Sequence, residues 1–322
     1  MDNIQYVDFE VEELNAFEDE YVYDLEMVDQ EQPWFYANDI LVHNSSYISI
    51  APLINNGVKF WEDQSKGLIH QETYDKIQEI EDYLNEGITK WARKALLTED
   101  PRFVFKRECI ADVATFLQKK RYVMHILDNE GIKENKFKYT GVEVVRTTMP
   151  NAIKPYAKGI IETMLSTQSL PKTNKVFNEA YETFKTLSHE EIAFVMGIKG
   201  YEKHAVQCRD WQTVKGMPVH SKSAYYYNQM LEKLGTGNKY ENISSGDKVR
   251  FIYIETPNKY GLKSMGFKYE WPTEFDELFK IDYEKMFDKI LFQSIARFYE
   301  SVGWSIRKPS ENVQTELLDL FS

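Results

Sequence analysis

The chain has 322 residues, 43% hydrophobic and 14% aromatic, enough apolar material for two or three packed domains. No apolar run approaches the ~18 residues of a membrane span, and the acidic start MDNIQYVDFEVEE has neither the basic nor the apolar stretch of a signal peptide, so no membrane role is expected. The two cysteines, Cys109 and Cys208, stand far apart, which excludes a disulfide scaffold and a cysteine-based zinc site.

The net charge of −12 is unevenly spread. Residues 1–44 hold 13 acidic side chains and no Lys or Arg, leaving 38 acidic against 39 basic in residues 45–322. Eight aromatic residues, from Tyr6 to Tyr36, are too many for a solvating tail. A segment this short cannot build its own core, so it needs a partner, and its uniform sign points to a basic partner surface. "YVYDLEMV" alternates Tyr21, Tyr23, Leu25 and Met27 against Val22, Asp24, Glu26 and Val28, the period of a strand. "WFYANDILVHN" reads as a second apolar stretch turning at Asn38-Asp39.

"VYDLEMV…FYANDILVHN" followed by Ser resembles the C-terminal segment of a split intein, with two motif blocks in order and a His-Asn-Ser junction. Met1 lies about forty residues upstream of that junction, the length of a separately translated intein half. The resemblance implies protein splicing. Ser45 attacks the ester or thioester at the partner's junction, with Asp24 near this step. Asn44 then cyclises onto its own carbonyl, and His43 polarises that carbonyl or protonates the departing nitrogen. One departure stands out: Pro33-Trp34-Phe35 replaces the further His that many inteins carry before this block. Either the other half supplies that proton transfer or the step is slow. Taken alone, His43 and Asn44 read better as a strand end.

Beyond the junction, "SSYISIAPLI" alternates like a strand. Ile77, Ile80, Leu84, Ile88, Trp91 and Ala95 then recur every three or four residues, predicting one amphipathic helix. Strands are expected over 103–113 and 121–128, a turn at "DNEG", and another strand over "KFKYTGVEVV".

"KRECIA" and "KKRYVMHILDNEG" resemble a family B DNA polymerase, most closely those of T-even-like bacteriophages. Ser45-Ser46-Tyr47 matches the Ser-x-Tyr directly behind the Asp-Thr-Asp of the palm metal motif, but the aspartates themselves are absent from this chain. The resemblance implies that Lys119, Lys120, Arg121 and Tyr122 contact primer and minor groove, where acceptors shared by all correct pairs report geometry. Taken alone, "KKRY" is a solvated basic turn. Glu108 aligns with a family carboxylate near the metals, yet Lys106 replaces the neighbouring Asp.

From residue 146 onward, helices are expected over 152–165, 174–187 and 189–195, the last behind a Ser-His-Glu-Glu start. Arg146, Thr147 and Thr148 suit phosphate contact. "MPVHSKSAYYYNQMLEKLG" resembles a thumb segment of the same polymerases, which implies DNA contact by His220, Lys222, Ser223, Tyr227 and Asn228. Lys222 stands where the family often has Arg and Ser223 where it has Gly, while at least one of Tyr225 to Tyr227 reads as helix packing. "SSGDKVRFIYIE" reads as turn and strand. The stretch from Ile281 to Trp304 is a strongly amphipathic helix with Tyr283, Met286, Phe287, Ile290, Leu291, Ile295 and Phe298 on its apolar face. The tail "QTELLDLFS" resembles a clamp-docking peptide, with Leu317, Leu318, Leu320 and Phe321 as anchors.

The expected fold class is α+β: a short all-β intein segment at 1–44, the C-terminal part of a polymerase palm at 45–145 (antiparallel strands with a helix), a mainly helical thumb at 146–312 and a clamp-binding tail at 313–322. The resemblances imply a precursor that joins a separately encoded N-terminal half by trans-splicing, giving a DNA-templated DNA polymerase in the cytoplasm of a phage's bacterial host. Its partners would be that half, primer–template DNA, dNTP and a sliding clamp. Mg2+ would belong to the assembled enzyme, with no metal bound by this chain alone. The alternative is a non-splicing DNA-binding subunit that associates non-covalently with an N-terminal polymerase fragment.

Overall fold

The computed structural model describes residues 34–37, 40–43, 47–95, 97 and 104–309, with side chains from residue 47 onward. It is a mixed α+β chain, with four small sheets among the described residues. The chain divides into two compact units, 1–111 with 126–136, and 112–125 with 137–322.

In the first unit, β1 (Trp34–Ala37) pairs antiparallel with β2 (Ile40–His43). Trp34 stands opposite His43 and Ala37 opposite Ile40, so only residues 38 and 39 join the strands. The expected Asn38-Asp39 turn and the strand over 21–28 lie outside the described residues. The strand expected from "SSYISIAPLI" does not form over its described residues. Tyr47 to Ile50 are irregular and lead into α1 (Ala51–Asn55). Pro52 explains the change: it cannot donate to a strand ladder, but it fits the first turn of a helix.

β3 (Trp61–Asp63) pairs with β4 (Leu68–Ile69) across a tight turn. Asp63 accepts from Ser65 N at 3.1 Å there. The expected helix is α2 (Gln71–Ala95). Ile88 and Ala92 are buried, Ile77, Ile80, Leu84 and Trp91 are half-buried, and Ala95 is exposed. Phe60, Ile69, Ile110 and Leu127 form this unit's core.

Three strands follow in the sheet order β5-β6-β7: β5 (Cys109–Gln118), β6 (Arg121–Asn129) and β7 (Ile132–Thr140). The strand expected over 103–113 therefore begins later and runs further. Residues ahead of it are tied down differently: Asn85 bonds both the N–H and the carbonyl of Phe105, at 2.6 and 3.0 Å. The "DNEG" turn forms as expected, with Glu130 and Gly131 both at positive φ (50° and 87°). Buried Asp128 anchors it, accepting from Gly131 N at 3.0 Å and Tyr74 OH at 3.2 Å and pairing with Arg107.

The second unit opens with α3 (Lys154–Thr167) packed on α4 (Leu170–Phe184). α5 (His189–Ile192) begins with the expected capping box, Ser188 with Glu191. The helix ends at Ile192 rather than 195, because Phe194–Gly197 is recruited as β8. α6 (Tyr201–Ala205), α7 (Val219–Leu234), β9 (Lys248–Tyr253) and β10 (Ser264–Phe267) follow. The antiparallel sheet β10-β9-β8 lies under α7, so the region expected to be mainly helical has a sheet at its centre. The last long helix is not uniform. α8 (Tyr283–Phe287) passes through a π-helical turn, Asp288–Phe292, into α9 (Gln293–Ser301). Its apolar face is buried at Met286, Phe287, Ile290, Leu291, Ile295 and Phe298, as the periodicity predicts, with Tyr283 half-buried.

Candidate nucleic-acid interface

Strands β5 and β6 reverse in two residues, Lys119 and Lys120, both exposed. Lys120 adopts a left-handed backbone, φ 62°. Gly141, itself at φ 61°, lies directly against this turn: a Cβ on it would sit 2.1 Å from the Lys120 carbonyl oxygen. Only glycine lets the two segments approach this closely. Val142 and Val144 are buried on either side of Glu143, which fixes how the following residues present themselves.

Three arginines converge on that approach. Arg121 donates from Nε to the Gly141 carbonyl at 3.2 Å and pairs with the Glu143 carboxylate. Arg146 donates to the same carbonyl at 3.5 Å. Arg297, from α9, reaches Glu143 Oε1 at 3.0 Å. The Oε2 atom of Glu143 is buried with no hydrogen-bond partner among the described residues. Exposed Thr147 and Thr148 follow Arg146 directly. The two stretches "KKRY" and "RTT" are thus brought together, 20 and more residues apart in sequence, through one glycine carbonyl. The Tyr122 ring packs beside Phe116, centroids 5.6 Å apart, and Phe116 is 39% exposed. Thr115 Oγ1 and Ser301 Oγ, 2.8 Å apart, link β5 to α9.

The group expected on α7 is not a comparable surface. Ser223 is fully buried: its Oγ donates to the Val219 carbonyl at 2.9 Å and shares a hydroxyl–hydroxyl bond with Ser264 at 2.8 Å. Facing it, a Cβ on Gly266 would lie 2.6 Å from the Ser223 carbonyl oxygen. The small residue at 223 therefore serves close packing of α7 on β10 and not the approach of a phosphate. Tyr227 is 1% exposed, its ring at a steep angle to that of Phe275, and burial drives its phenol well above its ordinary pKa. Asn228 spends its whole amide internally, donating to Tyr201 OH (2.9 Å) and Ile243 O (2.7 Å) and accepting from Ile243 N (2.8 Å). Ser223, Tyr227 and Asn228 are thus each engaged in packing or hydrogen bonds inside this unit. His220 and Lys222 remain half-buried on the first turns of α7. Burial lowers the His220 pKa, and Lys222 has no ion pair among the described residues.

Sequence reasoning missed Phe116, Gly141, Glu143 and Arg297. Arg297 stands 154 residues from its carboxylate, so no local pattern could have revealed it. Gly141 carried a weak signal, a lone glycine breaking the apolar pattern of "KYTGVEVV". Glu108 is half-buried, and its carbonyl accepts from Glu130 N at 2.7 Å. Among the described residues no group of three or more His, Cys, Asp or Glu side chains is placed to hold a metal ion. Of the expected splicing residues, His43 ends β2, while Asp24, Asn44 and Ser45 lie outside the described residues, as do Leu317, Leu318, Leu320 and Phe321.

No described helix is long and apolar enough to cross a membrane. No protein-family model matches the chain, and no curated protein sequence matches it.

Proposed function

We propose that the chain is a precursor that undergoes trans-splicing with a separately encoded N-terminal half to give a DNA-templated DNA polymerase. Residues 1–44 act as the C-terminal intein half and 45–145 as the end of the palm. Residues 146–312 form the thumb, and 313–322 dock on a sliding clamp. This chain supplies the grip on primer and duplex, and the metal-binding aspartates and their Mg2+ come with the other half. The observation that carries the reading is the meeting of Lys119–Tyr122 with Arg146–Thr148 across Gly141. Cations and hydroxyls on a rigid turn, with an aromatic pair beside them, suit a phosphate backbone read without regard to sequence.

Co-expression with the N-terminal half tests it. A ligated polymerase is expected, with a free peptide ending at Asn44, and both Asn44→Ala and Ser45→Ala should block ligation. Ligation that survives both substitutions overturns the splicing reading. The replacement of the usual further His by Pro33-Trp34-Phe35 favours a second reading, a DNA-binding subunit that assembles without splicing. That reading predicts polymerase activity of the mixed halves with no new peptide bond.

A further inference from the structure

Outside the cluster around Gly141, two surface loops of the second unit carry aromatic rings with lysines laid over them. Trp211 sits in a tight reversal closed by Arg209 N to Gln212 O (3.2 Å) and Gln212 N to Arg209 O (2.9 Å). The Asp210 carbonyl in that loop accepts from Tyr225 OH at 3.0 Å. Tyr260 sits in a loop fastened by one side chain, Asn258. Its Nδ2 donates to Glu255 O (2.9 Å) and Leu262 O (2.7 Å), and its Oδ1 accepts from Tyr260 N (3.2 Å) and Leu262 N (3.1 Å). Both loops are held in place by their own hydrogen bonds, so the rings are set before any ligand arrives.

The two rings lie 4.9 Å apart at 52°, and Tyr260 leans on buried Phe279 at 5.8 Å. The Lys233 ammonium stands 5.8 Å from the Trp211 ring and 5.1 Å from Tyr260, and Lys259 stands 5.9 Å from Tyr260. Both lysines are exposed, and neither pairs with a carboxylate among the described residues. A single lysine resting on a ring is ordinary surface packing. Here two unpaired cations stand over Tyr260, one of them over Trp211 as well, and both rings are preset. The segment 199–263 around them holds eleven Lys and Arg against six Asp and Glu, in a chain whose net charge is −12.

We propose that the Trp211–Tyr260 surface is a binding site for single-stranded nucleic acid. Unpaired bases stack on the rings, and Lys233 and Lys259 move from the ring faces to the neighbouring phosphates. Stacking needs only a π-face, so the site tolerates any sequence, and bases paired inside a duplex cannot offer theirs. The site does not depend on the duplex grip proposed above.

The test uses the full chain with a fluorescein-labelled oligo(dT) of about 20 nucleotides, and separately a blunt duplex of similar length, at about 50 mM salt. The double variant K233E/K259E should weaken oligo(dT) binding by about tenfold or more and leave the duplex within about twofold. The conservative variant W211F should remove the oligo(dT)-dependent quenching of tryptophan fluorescence. Wild-type chain that fails to bind oligo(dT), a K233E/K259E variant that binds it as tightly as wild type, or quenching that persists in W211F overturns the proposal. Loss of duplex binding alone counts against the grip around Gly141 and leaves this site standing.

Discussion

A methyl group at position 141 has no room. The Lys120 carbonyl oxygen would lie 2.1 Å from it, and the φ of 61° is a conformation that side chains with a Cβ disfavour. Gly141→Ala should cost roughly 2–4 kcal/mol in urea unfolding, from the left-handed backbone plus displacement of the turn. If the turn grips duplex DNA, affinity should fall even at temperatures where the variant is fully folded. Lys120→Ala makes the opposite kind of change, removing charge without disturbing shape. Its expected signature is a salt dependence of duplex binding that is shallower by about 0.9 for each phosphate no longer neutralised, with unchanged stability. An unaltered slope would take Lys120 out of the interface. The His189 ring gives a pH prediction of its own. It stacks on Trp271 at 4.5 Å, and burial lowers its pKa below the ordinary 6.5, outweighing the carboxylates of Asp276 and Glu190 that push it up. The folded state therefore resists protonating it. Its contribution to stability is present above pH 6.5 and is lost as pH falls through the lowered folded value. His189→Phe should flatten that part of the acid limb in denaturation curves taken at successive pH values.

At the scale of elements, α7 and β10 show how one residue type can serve two meanings. A small residue in a helix beside a lysine fits a phosphate grip, and it equally fits close packing on a sheet. Sequence alone does not distinguish them, because the deciding partner, Gly266, lies 43 residues away. Gly266→Ala should push α7 off β10 and destabilise the chain by roughly 1–3 kcal/mol in chemical denaturation, without a specific effect on DNA. The same logic sorts what was legible. α2 and the buried face running through α8 and α9 were readable, because long apolar stripes have few alternative explanations. The capping box at Ser188 and the turn at Glu130-Gly131 were readable because their chemistry is local. Three features were not. β8 follows α5 so closely that helical periodicity absorbed it, Pro52 outweighed an alternating pattern, and a π turn adds a residue that no period predicts. In the candidate interface, the cations were legible as a motif, whereas the carboxylate and carbonyl that gather them were not.

Across the whole molecule the strongest signal is the charge break at residue 44. The thirteen acidic side chains of residues 1–44 stand against a nearly balanced remainder. Charge of one sign on a segment that needs a partner acts mainly on how fast the partner is found, because steering operates over roughly a Debye length, about 10 Å at 0.1 M salt. On the splicing reading, the rate of association with the N-terminal half should therefore fall steeply with ionic strength. An increase from about 50 to about 500 mM NaCl should slow it by roughly tenfold or more. The later steps at Asn44 and Ser45 are intramolecular once the halves have met, so their rate should hardly change. Ligation assays at limiting and at saturating partner concentration separate the two. Salt should slow the reaction in the first and not in the second. Neutralising Glu12, Glu13, Glu18, Asp19 and Glu20 to their amides should reproduce the effect at low salt. A ligation rate that ignores both salt and these five substitutions would remove electrostatic steering as the reason for the acidic segment.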